Sequence, residues 1–174
     1  MKILGVLATI GILLVVLAGA VVTKTESGDG CGPNWPLCHD RLIPENPTIE
    51  TVIEYTHRLV TLIVGILVIV FSLWAALKYR NHREVLWMAG AALFFLFFQS
   101  ALGAIAVVYG QSSAGLALHF GFSLLSYATV FLLTIYVFQL SKGKQLPTTS
   151  VRPGLKYGLV GLITATYIVI YTGA

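Results

Sequence analysis

Five apolar runs divide this sequence, at residues 3–22, 59–77, 85–109, 114–140 and 155–172, and each is long enough to cross a bilayer. The hydrocarbon core of a membrane is about 30 Å thick, which a helix crosses in about 20 residues. In lipid the backbone has no water to bond, so a spanning segment is either a helix or a strand of a closed barrel. The runs lack the period-two alternation of barrel strands. The fold class expected is therefore an all-α integral membrane protein, an antiparallel four-helix transmembrane bundle followed by a fifth transmembrane helix. Composition agrees, with 57% of the 174 residues hydrophobic and 10% charged, against about 25% charged in soluble domains. Such a chain is neither an ordinary soluble enzyme nor disordered.

The 11 Lys and Arg are too few and too scattered for a nucleic-acid surface, and they read instead as membrane topology. Lys2, Lys78, Arg80, Arg83, Lys142, Lys144, Arg152 and Lys156 lie at the N-terminus and after the second and fourth runs, with Glu84 the one acid among them. The first loop, 23–58, sets Lys24, Arg41 and Arg58 against Glu26, Asp29, Asp40, Glu45, Glu50 and Glu54. By the positive-inside rule the N-terminus is cytoplasmic, and the first loop and the short loop at 110–113 face the extracytoplasmic side of a cell membrane. Trp74 and Trp87 fall at the inner ends of their runs, where aromatic belts are expected. The first run exceeds the 7–15 residues or so of a signal-peptide core, so it is read as a retained helix. The expected organisation is a four-helix unit over 1–140, a cytoplasmic linker over 141–154 and a fifth helix over 155–174. That fifth run has no polar tail and no partner in a four-helix bundle. Its ending, Tyr171-Thr172-Gly173-Ala174, is like the exit of the first run from Ala18-Gly19-Ala20 to Thr23, as if a second copy of the unit followed.

Ionisable side chains in spans are costly, which makes the four histidines informative. His82 sits in a charged turn and His39 in the outer loop, where solvation or local hydrogen bonding accounts for them. His57 stands at the outer end of the second span and His119 near the outer end of the fourth, at matched depth. In an up-down bundle these two helices face each other across the diagonal, about 12–14 Å apart. That gap suits two imidazoles on one iron with a flat macrocycle between them. Zinc is a poorer match, since a closed zinc site takes four ligands and the first and third spans offer none. No second histidine pair exists near the inner face, so the spans accommodate one haem by His-His ligation. Glu54 precedes His57 by one helical turn and is expected beside the iron, or else paired at i, i+4 with Arg58. Arg58 and Lys24 are placed to neutralise haem propionates or to snorkel. Gln99, deep in the third span, requires a partner, most simply another helix. Gly65, Gly103, Gly115 and Gly121 leave room for close backbones or a broad ring.

Cys31 and Cys38 bracket a loop with two prolines, and on an oxidising exterior a disulfide is the default. It is read as a brace or as a redox pair addressed by an external thiol-disulfide partner.

Three segments carry a resemblance to haem A synthase of the bacterial, cysteine-pair type: TESGDGCGPNWPLC at 25–38, IEYTHR at 53–58, and Leu118-His119-Phe120. It covers the first four spans. The resemblance implies an oxidoreductase that converts the C8 methyl of haem O to a formyl group, giving haem A for terminal oxidases. His57 and His119 would then hold the haem iron of substrate and product, Glu54 would be the catalytic carboxylate, and Cys31 and Cys38 the outer disulfide. Haem O synthase, a terminal oxidase and an external thiol-disulfide protein are the partners it implies. Members of that kind have two four-helix halves, the second binding haem b, so this chain is expected to hold the first half and the first helix of the second. With both histidines on iron no position is open to oxygen, so either one ligand leaves or the oxidation proceeds without oxygen binding at that iron. Two other readings are a mono-haem bis-His cytochrome, which leaves Glu54 and the cysteines without work, and a quinone-linked thiol oxidoreductase, which wants a Cys-x-x-Cys pair absent here.

Overall fold

The computed structural model of the chain describes residues 1–143 and 152–172. It holds five helices, α1 (Lys2–Lys24), α2 (Ile49–Lys78), α3 (Arg83–Tyr109), α4 (Ser113–Ser141) and α5 (Pro153–Thr172), with a short 3-10 turn at Ser27–Asp29 between the first two. No strand occurs among the described residues, and one isolated bridge pairs Cys38 with Arg41. By length and composition α1 to α4 can cross a membrane. The expected fifth span forms α5, a helix of 20 residues. Much of the expected linker, 144–151 with Lys144, lies outside the described residues, as do 173 and 174.

Helix α2 begins well outside its apolar run. Thr48 caps it, its hydroxyl accepting from the Thr51 N–H at 3.3 Å, and the first turns carry Glu50 and Glu54 beyond the greasy stretch. Apolarity marks where a helix meets lipid, and a cap marks where it starts. Helix α4 is capped in the same manner by Ser112, which accepts from the Gly115 N–H at 3.1 Å.

Helices α1 to α4 close into a ring of neighbours, α2 also touches α4 across the diagonal, and α5 lies against α4. The outward faces carry Leu14, Leu62, Ile66, Phe97 and Leu132, all well exposed, as lipid contact demands. Between helices in lipid there is no hydrophobic drive, so close fit and interhelical hydrogen bonds hold them. Gly5 and Gly11 supply the fit, since a Cβ there would stand 2.8 Å from Phe71 and 2.9 Å from Val64. Thr9 and Thr134 supply the bond, with hydroxyls 3.0 Å apart between α1 and α4.

The buried apolar cluster fills one end of this ring only, the end with the tight α2–α3 turn. It comprises Ala8, Ile12 and Val16 on α1, Val64 to Ala75 on α2, Val85 to Leu96 on α3 and Val130 to Val137 on α4. Its fully buried members stop about two turns short of His57 and three short of His119, and half-buried Val60 and Phe120 pack against it nearer the histidines. The other tier, at the end with the cysteine loop, buries Thr51, Glu54, Gln99, Ser123 and Ser126 instead.

Candidate functional site

His119 projects from α4 toward α3, where its Nδ1 lies 2.7 Å from the carbonyl oxygen of Gln99. A carbonyl only accepts, so Nδ1 carries the proton and Nε2 keeps its lone pair. The ring reaches that carbonyl by lying over Gly103, where a Cβ would come within 2.9 Å of Cε1. His57 has a matching seat on α1, since a Cβ at Gly19 would stand 3.2 Å from its Cε1. Its buried Nδ1 has no hydrogen-bond partner among the described residues. Each histidine's carbonyl also accepts from a hydroxyl one turn further on, His57 from Thr61 and His119 from Ser123, both at 2.7 Å.

Glu54 is 2% exposed. Its Oε2 accepts from the Cys31 backbone N–H at 2.6 Å, and its Oε1 accepts from Arg58, from Nε at 3.0 Å and also from Nη2. Arg58 extends Nη1 to the Leu37 carbonyl at 2.7 Å and reaches toward that of Gly32. The ion pair expected at i, i+4 thus forms, buried rather than interfacial, and it fastens the cysteine loop to α2. Thr51 adds a bond to the Gly30 carbonyl at 2.7 Å. The loop itself is closed by the Cys31–Cys38 disulfide, with an S–S distance of 2.04 Å, and the two half-cystines are 0% and 1% exposed. A disulfide enclosed in this way is hard for a partner protein to reach.

Two imidazoles form a sparse donor set. Among the described residues no group of three or more His, Cys, Asp or Glu gathers where a metal ion could be held. A bare ion would therefore be poorly bound, whereas an iron that brings its own four equatorial nitrogens needs only axial donors. The free Nε2 of His119 is a donor of that kind, and His57, whose Nδ1 is without a partner among the described residues, is seated on the opposite side of the bundle against α1.

Residues 2–174 match the model of the COX15-CtaA family, described as cytochrome oxidase assembly protein. The chain belongs to this family. Three of its relatives are named heme A synthase. The chain is 50% identical to that of Halalkalibacterium halodurans, over 100% of this chain and 58% of the relative. It is 48% identical to that of Alkalihalophilus pseudofirmus with the same shares, and 42% identical to that of Bacillus licheniformis, over 100% and 57%. The chain spans a little under three fifths of the length of these curated relatives.

For this member of the COX15-CtaA family the other expected site residues sort themselves by contact. Arg58 is occupied by Glu54 and the loop carbonyls, which compete with any propionate. Lys24 ends α1, exposed. His39 takes up a local bond, its Nε2 lying 2.9 Å from the Gly30 carbonyl, and His82 is exposed. Gln99 joins α3 to α4, accepting from Ser123 Oγ at 3.1 Å. Of the glycines, Gly103 seats a ring, Gly121 lies under Tyr167 and Tyr171 of α5, Gly65 faces nothing within 4 Å and Gly115 faces only its own cap, Ser112. Sequence reasoning passed over Gly19, Thr61 and the backbone groups of Gln99 and Cys31. A glycine on the helix next to a buried histidine is a signal for such a seat, and it needs the helix pairing to be read.

Proposed function

We propose that this chain provides the substrate-haem part of a haem A synthase, in which the C8 methyl of haem O becomes a formyl group. The observation that carries the reading is the pair of seated histidines, with His119 held by the Gln99 carbonyl so that Nε2 is left as a donor. The name heme A synthase, which these relatives carry, supports it. Residues 1–140 form the haem-binding unit, the N-terminus is cytoplasmic, and the cysteine loop faces the extracytoplasmic side, in keeping with the charge distribution.

In this reading His57 and His119 hold the substrate's iron and so orient the macrocycle. Turning a methyl into a formyl group is a four-electron oxidation; with water as the oxygen source it releases four protons and four electrons, and an electron acceptor outside this chain, of the class of dioxygen or a redox carrier, has to take them. Glu54, one turn from His57, is the carboxylate that balances positive charge or takes a proton there. Arg58 positions Glu54 and the loop, and its charge is near enough to act on a propionate. The open space between the helices below the histidines is a cavity of about 20 Å³, against about 300 Å³ or more for a usual ligand site. Binding a macrocycle therefore calls for the loop-end tier to part. Haem O must come from a reaction that attaches the isoprenoid tail to haem, and haem A goes to a terminal oxidase.

The test is to express the chain with a supply of haem O, purify it in detergent, and identify the extracted haem by chromatography and mass. Haem A or its hydroxylated precursor is the expected product. Recovery of unchanged haem alone would count against catalysis by this chain and leave the cytochrome reading.

A further inference from the structure

The small cavity below the two histidines, toward the apolar cluster, is partly enclosed and mainly apolar, with a few polar groups on its wall. Its volume of about 20 Å³ accommodates one water molecule, for which roughly 10–15 Å³ is enough. Thr61 of α2, Gln99 of α3 and Ser123 and Ser126 of α4 supply its polar groups, set among apolar walls from Ile12, Val16, Val64 and Leu96. Ser126 is 1% exposed, and its Oγ has no hydrogen-bond partner among the described residues. A hydroxyl buried without a partner is costly, most of all where lipid surrounds the bundle. Gln99, 7% exposed, is also under-used: its amide nitrogen has one long bond, to Ser100 Oγ at 3.3 Å, and a second N–H to give.

We propose that this chamber binds a single structural water, which joins the chain segments that carry His57 and His119. The inventory of groups matches one water molecule. It can accept from the Ser126 hydroxyl and the Gln99 amide and donate to the oxygens of Thr61 and Ser123. Those last two residues already hold the histidine carbonyls, at 2.7 Å each, and Gln99 holds the His119 ring through its own carbonyl. A water in the middle would join Thr61, which holds the His57 carbonyl, to the side chain of Gln99, whose backbone carbonyl holds the His119 ring. Such a link keeps the two rings in register while the tier above them opens. The water is a positioning group, and its binding stands on the cavity and the lone hydroxyl, whether or not the histidines hold haem.

Ser72 provides an internal control, because its Oγ is equally enclosed and unpartnered but does not line the chamber. The experiment compares thermal unfolding of the full chain in detergent, without added haem, for wild type, Ser126→Ala and Ser72→Ala. Removing a hydroxyl that binds water lowers the midpoint, whereas removing one that is unpaired leaves it unchanged or raises it. The expected result is a lower midpoint for Ser126→Ala and an unchanged or higher one for Ser72→Ala. A midpoint for Ser126→Ala that is unchanged or raised overturns the proposal. So does an experimental density map, at a resolution that shows waters, in which the chamber is dry, while a peak within hydrogen-bonding distance of Ser126 and Gln99 supports it. Identical visible spectra for haem-loaded wild type and Ser126→Ala would overturn the link from the water to the rings.

Discussion

Glu54 has two tasks that pull its substitutions apart. Alanine there would leave Arg58 without its carboxylate and the Cys31 N–H without an acceptor, and breaking a buried ion pair costs about 3–5 kcal/mol. Glu54→Ala is therefore expected to unfold at markedly lower temperature in a detergent melt. Glu54→Gln keeps an oxygen for the N–H, so its stability should suffer less while its haem is bound but not oxidised. A Glu54→Gln chain that yields normal haem A would refute the catalytic role. Gly103→Ala tests the histidine seat. Its Cβ would meet His119 at 2.9 Å, and overpacking of about 1–3 kcal/mol corresponds to roughly 5- to 150-fold weaker haem binding by titration. Gly90→Ala, with nothing within 4 Å, should bind as wild type does. His57 and His119 were legible in the sequence because an ionisable group in an apolar run must have a reason to be there. The Gln99 carbonyl and the Cys31 N–H were not, since every residue type but proline carries the same backbone groups and only tertiary contact selects among them.

The element that organises the site is the first part of α2, before the apolar run. Hydropathy placed the span correctly at 59–77 but was silent on the turns from Ile49 onward, which face the cysteine loop instead of lipid. It is there that Thr51, Glu54 and Arg58 hold the loop. Replacing Cys31 and Cys38 together by serine should lower stability by about 2–3 kcal/mol, the loop-closure contribution of so short a ring. The histidine seats belong to other contacts, so haem binding by titration should persist. Because both half-cystines are enclosed, a soluble thiol reductant should leave the folded chain unlabelled by maleimide until denaturant is added. Labelling of the native chain would instead favour the redox reading of the pair.

At the scale of the whole molecule, the four-helix bundle and its antiparallel order followed from run lengths and charge alone. Its division into an apolar tier and a polar one did not, because that depends on which small residues meet across helices. Orientation is open to direct measurement. Single cysteines at Asn81 and Leu42, in a background with the native pair replaced by serine, should react with an impermeant maleimide from opposite faces of sealed vesicles, Leu42 from the extracytoplasmic one. Reaction of both from one face would break the antiparallel arrangement. The enclosure of the disulfide also imposes a sequence of events on biogenesis. The two thiols have to be joined while the segment after α1 is still clear of α2, for once Glu54 and Arg58 close over it an oxidase has no line of approach. A newly made chain thus has a brief interval in which to be oxidised, and one that docks its loop too soon is left with two sealed thiols and a weaker hold on the carboxylate beside His57.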